Sequence, residues 1–227
     1  MAVIETEYRR LSDECRAKQV TLVAVSKTKP VEDILALYEM GHRDFGENYV
    51  QELTDKQAQL PKDIRWHFIG HLQSNKVKYI APFVYMIHGV DSLKLLQEIN
   101  KQGARQSRKI NCLLQIHIAS EETKFGLDQA ELKELLENIS SLDDIEFAKI
   151  CGLMGMASFT SNNSLIRTEF QTLKRIFDQA LDQYFYHEEY FRELSMGMSS
   201  DYTIAIDEGA TMIRIGSLIF GERKTSV

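Results

Sequence analysis

A regular alternation of short apolar, β-branched runs with longer stretches of helical period is what most constrains this 227-residue chain. TLVAVSK (21–27) reads as a strand, and VEDILALYEMG (31–41) follows with apolar residues at 31, 34, 35 and 38, one helix face closed by Gly41. The unit then recurs. RDFGEN (43–48) precedes the helix YVQELTDKQAQL, WHFIG (66–70) precedes SNKVKYIA, and VYMIHGVD (84–91) precedes SLKLLQEINKQG, with Asp91 or Ser92 as N-cap. KINCLLQIHI (109–118) leads to DQAELKELLENI, and IEFAKICGLM (145–154) to a long helix within NNSLIRTEFQTLKRIFDQALDQYF. RELSMGM (192–198) leads to SDYTIAIDEG, a helix capped by Ser200 or Asp201 and ended by Gly209, and MIRIGSLIFG (212–221) is the last strand with its exit loop. Continuous apolar strands joined by helices require a parallel sheet covered on its outer face. An open doubly wound sheet uses the same alternation. Eight regular units in a chain of this length favour closure into one (β/α)8 TIM barrel, with one extra helix ahead of the first strand.

Bulk composition narrows the class. Hydrophobic residues make up 44% and charged residues 26%, enough apolar surface for a large core, and the three prolines mark no linker, so one domain over 1–227 is expected. The net charge of −6, with basic residues scattered and not interleaved with aromatics, argues against nucleic acid as a partner. Cys15, Cys112 and Cys151 are far apart and odd in number, as expected of free thiols in a reducing compartment. The charged N-terminus is no signal peptide, and no apolar run approaches the roughly 18 residues of a spanning helix. The expectation is a cytoplasmic protein that engages no membrane.

In such barrels the active site lies at the C-terminal strand ends. Lys27, Glu47, Asn48, His67, Gly70, Ser199, Ser200, Arg214 and Gly216 all fall there. Lys27 shares parity with Val23 and Val25, so a lumen-facing Val25 implies a lumen-facing Lys27. A desolvated amine there suits imine formation; equally, a strand-end lysine can simply reach solvent. Lys29 has the same parity but precedes Pro30 and belongs to the loop. GMSSD (197–201) and RIGSLIFG (214–221) end strands seven and eight, the usual phosphate site of these barrels, where glycines allow close approach and serine hydroxyls meet an oxyanion. Arg214, inward by parity, cannot surrender its proton, so a ring nitrogen beside it must act as acceptor. Glu47 and Asn48 either orient the site or cap the next helix. His67 and His71 do not form a helical zinc pair, His88 and His117 read as partly buried strand residues, and the methionines of GLMGM (152–156) read as packing.

AVSKTKP (24–30), FGENYVQE (45–52), WHFIG (66–70), LQSNK (72–76), KFG (124–126), GLMGM (152–156), SMGMSSD (195–201) and RIGSLIFG (214–221) together resemble the YggS/PROSC-type pyridoxal phosphate homeostasis proteins, in one order along nearly the whole chain. The resemblance implies the barrel domain of alanine racemase, the type III fold of pyridoxal phosphate proteins. It implies that Lys27 carries the cofactor as an imine, that Ser199, Gly216 and Ser217 bind its phosphate with Ser200 as a further contact, that Arg214 faces the pyridine nitrogen, and that Asn48 stands beside the cofactor. The racemase's second domain, with its catalytic tyrosine, has no counterpart in this chain. A racemase or transaminase needs an acid/base pair. Lys27 can be one base, and no credible second is found, since Tyr202 is expected on the helix after strand seven. The expectation is therefore a cofactor buffer or carrier in vitamin B6 homeostasis, monomeric, with apo pyridoxal phosphate enzymes as transient partners, and an amino-acid racemase as the alternative.

Overall fold

The structure, a computed structural model, describes residues 3–120, 125–139 and 145–222; Lys124 of the KFG motif lies outside them. Eight parallel strands close into a barrel in sequence order, β1 (Thr21–Val25), β2 (Asp44–Glu47), β3 (Arg65–Phe68), β4 (Met86–Val90), β5 (Ile110–Ile116), β6 (Ala148–Gly155), β7 (Glu193–Ser195) and β8 (Met212–Ile215). Closure is made by β8 against β1, with Thr21 opposite Met212 and Val23 opposite Arg214. The open doubly wound sheet is thereby excluded.

The helices are α1 (Glu5–Ala17), α2 (Val31–Glu39), α3 (Val50–Gln59), α4 (Val77–Ile80), α5 (Leu93–Arg105), α6 (Gln129–Asn138), α7 (Asn163–Tyr184), α8 (Tyr202–Asp207) and α9 (Ser217–Phe220). The N-terminal α1 is not an appendage. Arg10 on it donates to the Tyr202 hydroxyl of α8 at 3.2 Å, and Tyr8 meets His42, just past α2, at 3.5 Å. It therefore fills the eighth place in the outer ring, between α8 and α2. The exit of β8, expected as loop, folds into the short α9, whose Ile219 carbonyl accepts from Ile4 N–H at 2.7 Å.

Two apolar layers result. The larger lies between strands and helices. The smaller fills the lumen with Val23, Met86, Leu113, Cys151, Met154 and Met212, from strands around the barrel. Local signals explain most boundaries. Ser92 caps α5 by accepting from Leu95 N–H, Asp128 and Glu131 form a capping box on α6, and Gly41 and Gly209 take positive φ where α2 and α8 end. One expectation is corrected: neither Ser200 nor Asp201 caps α8 with its side chain. The Asp201 carboxylate instead turns back to accept from Met198 N–H at 2.6 Å, bracing the loop after β7. Among the described residues no helix is long and apolar enough to cross a membrane.

Candidate functional site

β1 stops at Val25, so Lys27 stands on a turn past the strand end and not on the strand. The lumen-facing parity of Val23 nonetheless carries through: Val25 and Lys27 both line a cavity of about 440 Å³ at the C-terminal mouth of the barrel. Asn48, Ser199, Ser200, Arg214, Gly216 and Ser217 line the same cavity. Residues from β1, β2, β7 and β8 thus converge although up to 190 positions apart, because the parallel barrel brings all strand ends to one rim.

The turn that bears Lys27 is held from behind. Lys56 on α3 is buried and uses all three ammonium donors: on Glu47 Oε1 at 2.7 Å, Glu52 Oε1 at 2.7 Å and the Ser26 carbonyl at 2.8 Å. Ser26 Oγ donates to Glu47 Oε1 at 2.6 Å, and Thr28 N–H donates to Glu52 Oε1 at 2.5 Å. Both chain neighbours of Lys27 are therefore tied down. Thr28 sits at φ +63°, a left-handed conformation costly for a β-branched residue, which this clamp sustains. Burial raises the Glu47 carboxyl above its usual range, against the pull of Lys56 and Ser26. The choice left open for Glu47 is thus decided. It orients the Lys27 turn, while α3 starts at Val50 with Tyr49 in the N-cap position and no side-chain cap. Lys29 lines the same cavity, and its amine donates to the carbonyls of Phe220 and Gly221 at 2.8 and 3.3 Å.

At the opposite side of the rim, Ser199 Oγ accepts from Gly216 N–H at 3.4 Å, joining the loops after β7 and β8. Gly197 needs to be glycine on protein grounds, with φ +92° and an added Cβ only 2.6 Å from Ala205. Gly216 does not: its φ is negative and an added Cβ would make ordinary contact with Val25. What glycine provides at 216 is open backbone beside the cavity. Arg214 is buried, donating to Ser195 Oγ at 2.6 Å and to the Gly155 carbonyl at 3.1 Å. Burial pushes its guanidinium down to about 10, partly opposed by Asp201, so it stays charged at neutral pH. Two of its five N–H groups are so engaged, and it still lines the cavity.

Other expectations sort by position. His67 points into the lumen, whereas His71 lies on the surface, stacked on Phe125 and 3.3 Å from Asp91, so the two diverge. His88 is wholly buried, and His117 sits just beyond β5. Met154 packs in the lumen as expected, but Met156 lines the cavity, together with Ile69, Phe159 and Met198, which sequence reasoning did not single out. Tyr202 faces α1, its hydroxyl between Arg10 and Glu14, and does not line the cavity.

These features fit a flat, phosphorylated carbonyl ligand. The buried Asn48 Oδ1 has no hydrogen-bond partner among the described residues, and such an atom at a cavity wall calls for a donor from outside the chain. The fold and rim define a (β/α)8 barrel of the alanine racemase type: residues 1–224 match the family described as alanine racemase, N-terminal domain. Alanine racemase from Bartonella henselae, 18% identical with TM-score 0.70, shares the fold over 96% of this chain and 62% of its own. Within that class the chain belongs to the pyridoxal phosphate homeostasis protein family. It is 40% identical to the pyridoxal phosphate homeostasis protein of Aquifex aeolicus over 89% of this chain and 87% of that protein, and 40% identical to the human one over 98% and 84%. PipY of Synechococcus elongatus, solved with PLP bound, superposes with TM-score 0.84 at 34% identity, covering 95% of this chain and 100% of PipY.

Proposed function

We propose that this chain binds pyridoxal 5′-phosphate covalently through Lys27 and serves vitamin B6 homeostasis as a buffer or carrier, without a committed reaction of its own. The observation that carries this reading is one cavity lined by Lys27, Asn48, Arg214 and the serine and glycine pairs of two adjacent loops. The family's name and the PLP held by PipY support it. When bound, the cofactor supplies an aldehyde that an amine takes up as an imine with loss of water, and a ring that accepts electron density.

The protein's own part is placement. The Lys56 clamp aims the Lys27 amine into the cavity while Lys29 is spent on backbone carbonyls. Ser199, Ser200, Ser217 and the Gly216 backbone hold the phosphate, and Asn48 meets the ring edge. Arg214 can only donate, so the ring nitrogen it faces stays unprotonated, which weakens the ring as an electron sink. Tyr202 is occupied by α1, so it supplies no second base, and this favours carrier over racemase. On the same reading the protein acts as one domain, a cytoplasmic monomer, with apo pyridoxal phosphate enzymes as transient recipients.

Loading with cofactor, borohydride reduction and peptide mass mapping test the core of this. The phosphopyridoxyl mass is expected on the Lys27 peptide, and label on Lys29 alone, or none, overturns it. Sustained Cα hydrogen exchange with racemisation of L-amino acids in deuterated water would overturn the carrier assignment.

A further inference from the structure

A continuous hydrogen-bonded chain crosses the barrel lumen beneath the cavity. Arg214 donates to Ser195 Oγ at 2.6 Å, and Ser195 Oγ lies 3.1 Å from His88 Nδ1. His88 Nε2 lies 2.9 Å from His67 Nδ1, and His67 Nε2 lies 3.1 Å from Asp44 Oδ1. Arg65 closes the far end, donating to both Asp44 oxygens at 2.7 and 2.5 Å. Ser195, His67 and His88 are completely buried and come from three different strands, β7, β3 and β4. A buried chain of this kind is costly unless every member is satisfied.

Its two ends fix its direction. A guanidinium only donates, and an ionised carboxylate only accepts. Burial works against the charge on Asp44, but the bonds from Arg65 and His67 more than offset it and hold the carboxyl well below its usual range. His67 Nε2 must therefore carry a hydrogen. With one hydrogen per ring, His67 Nδ1 accepts from His88 Nε2–H, His88 Nδ1 accepts from the Ser195 hydroxyl, and Ser195 accepts from Arg214. Burial, with His67 and Arg214 nearby, lowers the His88 imidazole well below its ordinary range, in keeping with a single hydrogen. All bonds then run one way, from Arg214 to Asp44.

We propose that Asp44, His67, His88 and Ser195 are positioning residues that set the aim and hydrogen-bond polarity of Arg214, so that a carboxylate at the entry end of β2 governs the guanidinium facing the cofactor ring. The role of Arg214 towards that ring rests on the function proposed above; the one-way chain does not. Ser195 takes one Arg214 donor and the Gly155 carbonyl another, leaving the guanidinium no freedom to tilt. A reversed chain would put His88 Nδ1–H onto Ser195, freeing the serine hydrogen to compete for other acceptors.

Long-range ¹H–¹⁵N spectra of the full cofactor-free chain read the histidine tautomers directly. His67 and His88 are expected in the Nε2–H form at pH 7, and an Nδ1–H or doubly protonated ring at either position overturns the proposal. Asp44→Ala removes the acceptor altogether and should introduce the Nδ1–H form at both; unchanged spectra would deny Asp44 its governing role. In the loaded protein, Ser195→Ala should shift the ¹⁵N resonance of a ring-labelled cofactor and speed its loss roughly ten-fold, the size of effect expected for a lost charge-assisted bond, with the Lys27 mass retained. A folded Ser195→Ala protein with a wild-type ring resonance and retention overturns the link to Arg214. Should that variant not fold, the ring resonance of loaded Asp44→Ala decides the same point, a wild-type value overturning it. If the wild-type chain takes up no cofactor, the proposed function fails while the tautomers still decide the chain.

Discussion

The two ends of β2, only four residues long, differ sharply in how their acids are answered. At the entry, Asp44 has both oxygens bonded, by Arg65 and His67. At the exit, Glu47 uses Oε1 on Ser26 and Lys56 but leaves Oε2 buried without a partner, and the next residue, Asn48, leaves its Oδ1 so as well. Among the described residues these are the buried side-chain atoms without partners, and they are consecutive. A fold that satisfies its polar groups at one end and not at the other has reserved the second end for something besides folding.

The largest effect expected from disturbing the exit end is with Lys27→Ala, which should abolish the borohydride-fixed mass while leaving a weaker, phosphate-held complex detectable by equilibrium dialysis. Lys56→Met should come next. It strands Glu47 and releases Glu52 and the Ser26 carbonyl, and breaking such a buried pair costs about 3–5 kcal/mol in urea unfolding. If the clamp serves Lys27 as argued, imine formation in the folded fraction should slow as well. A variant that loses stability but forms the imine at the normal rate would reduce the clamp to a folding device.

The entry end is sharpened by acid. Burial lowers His42 from 6.5 to about 4, opposed by its bond to the Asp44 carbonyl. Because the unfolded chain takes up that proton first, stability held above pH 6.5 should fall as the pH drops towards 4 and then level off, by on the order of 3 kcal/mol. His88 acts in the same direction. Asp44, held low, contributes stability that goes only below the ordinary carboxylate range, so its loss is a separate acid step. His42→Gln, measured by denaturation at pH 7 and 5, should flatten the first step. The smallest effect belongs to Ser199→Ala. It should weaken cofactor retention about five- to ten-fold with little change in melting temperature, since the lost Gly216 contact is long and only half-buried.

Much of this was readable in the chain. Helix ends at Gly41 and Gly209 and the Ser92 cap depend on neighbours a few residues away, which is why local pattern sufficed. That Lys27, Asn48, Ser199, Ser200, Arg214 and Gly216 meet at one cavity was legible because a parallel barrel places strand ends together whatever lies between them, whereas Ser217 came from the family motif. Lys56 was not legible: on α3 it reads as one more charged position on an amphipathic helix, and only packing turns it inward. The lumen chain escaped for a related reason. His67 and His88 were each read alone, and nothing in sequence spacing says that β3, β4 and β7 bring them to one line with Ser195.

By itself, then, the sequence determined the period of its elements, the eight strands with helices between them and a lysine at the end of the first, all of which follow from local polarity and strand order. Tertiary structure alone decided how that lysine is held, where α1 sits in the ring, and which way hydrogens run from Arg214 to Asp44. Those depend on side-chain geometry between residues distant in the chain, where a few tenths of an ångström separate a bond from a gap.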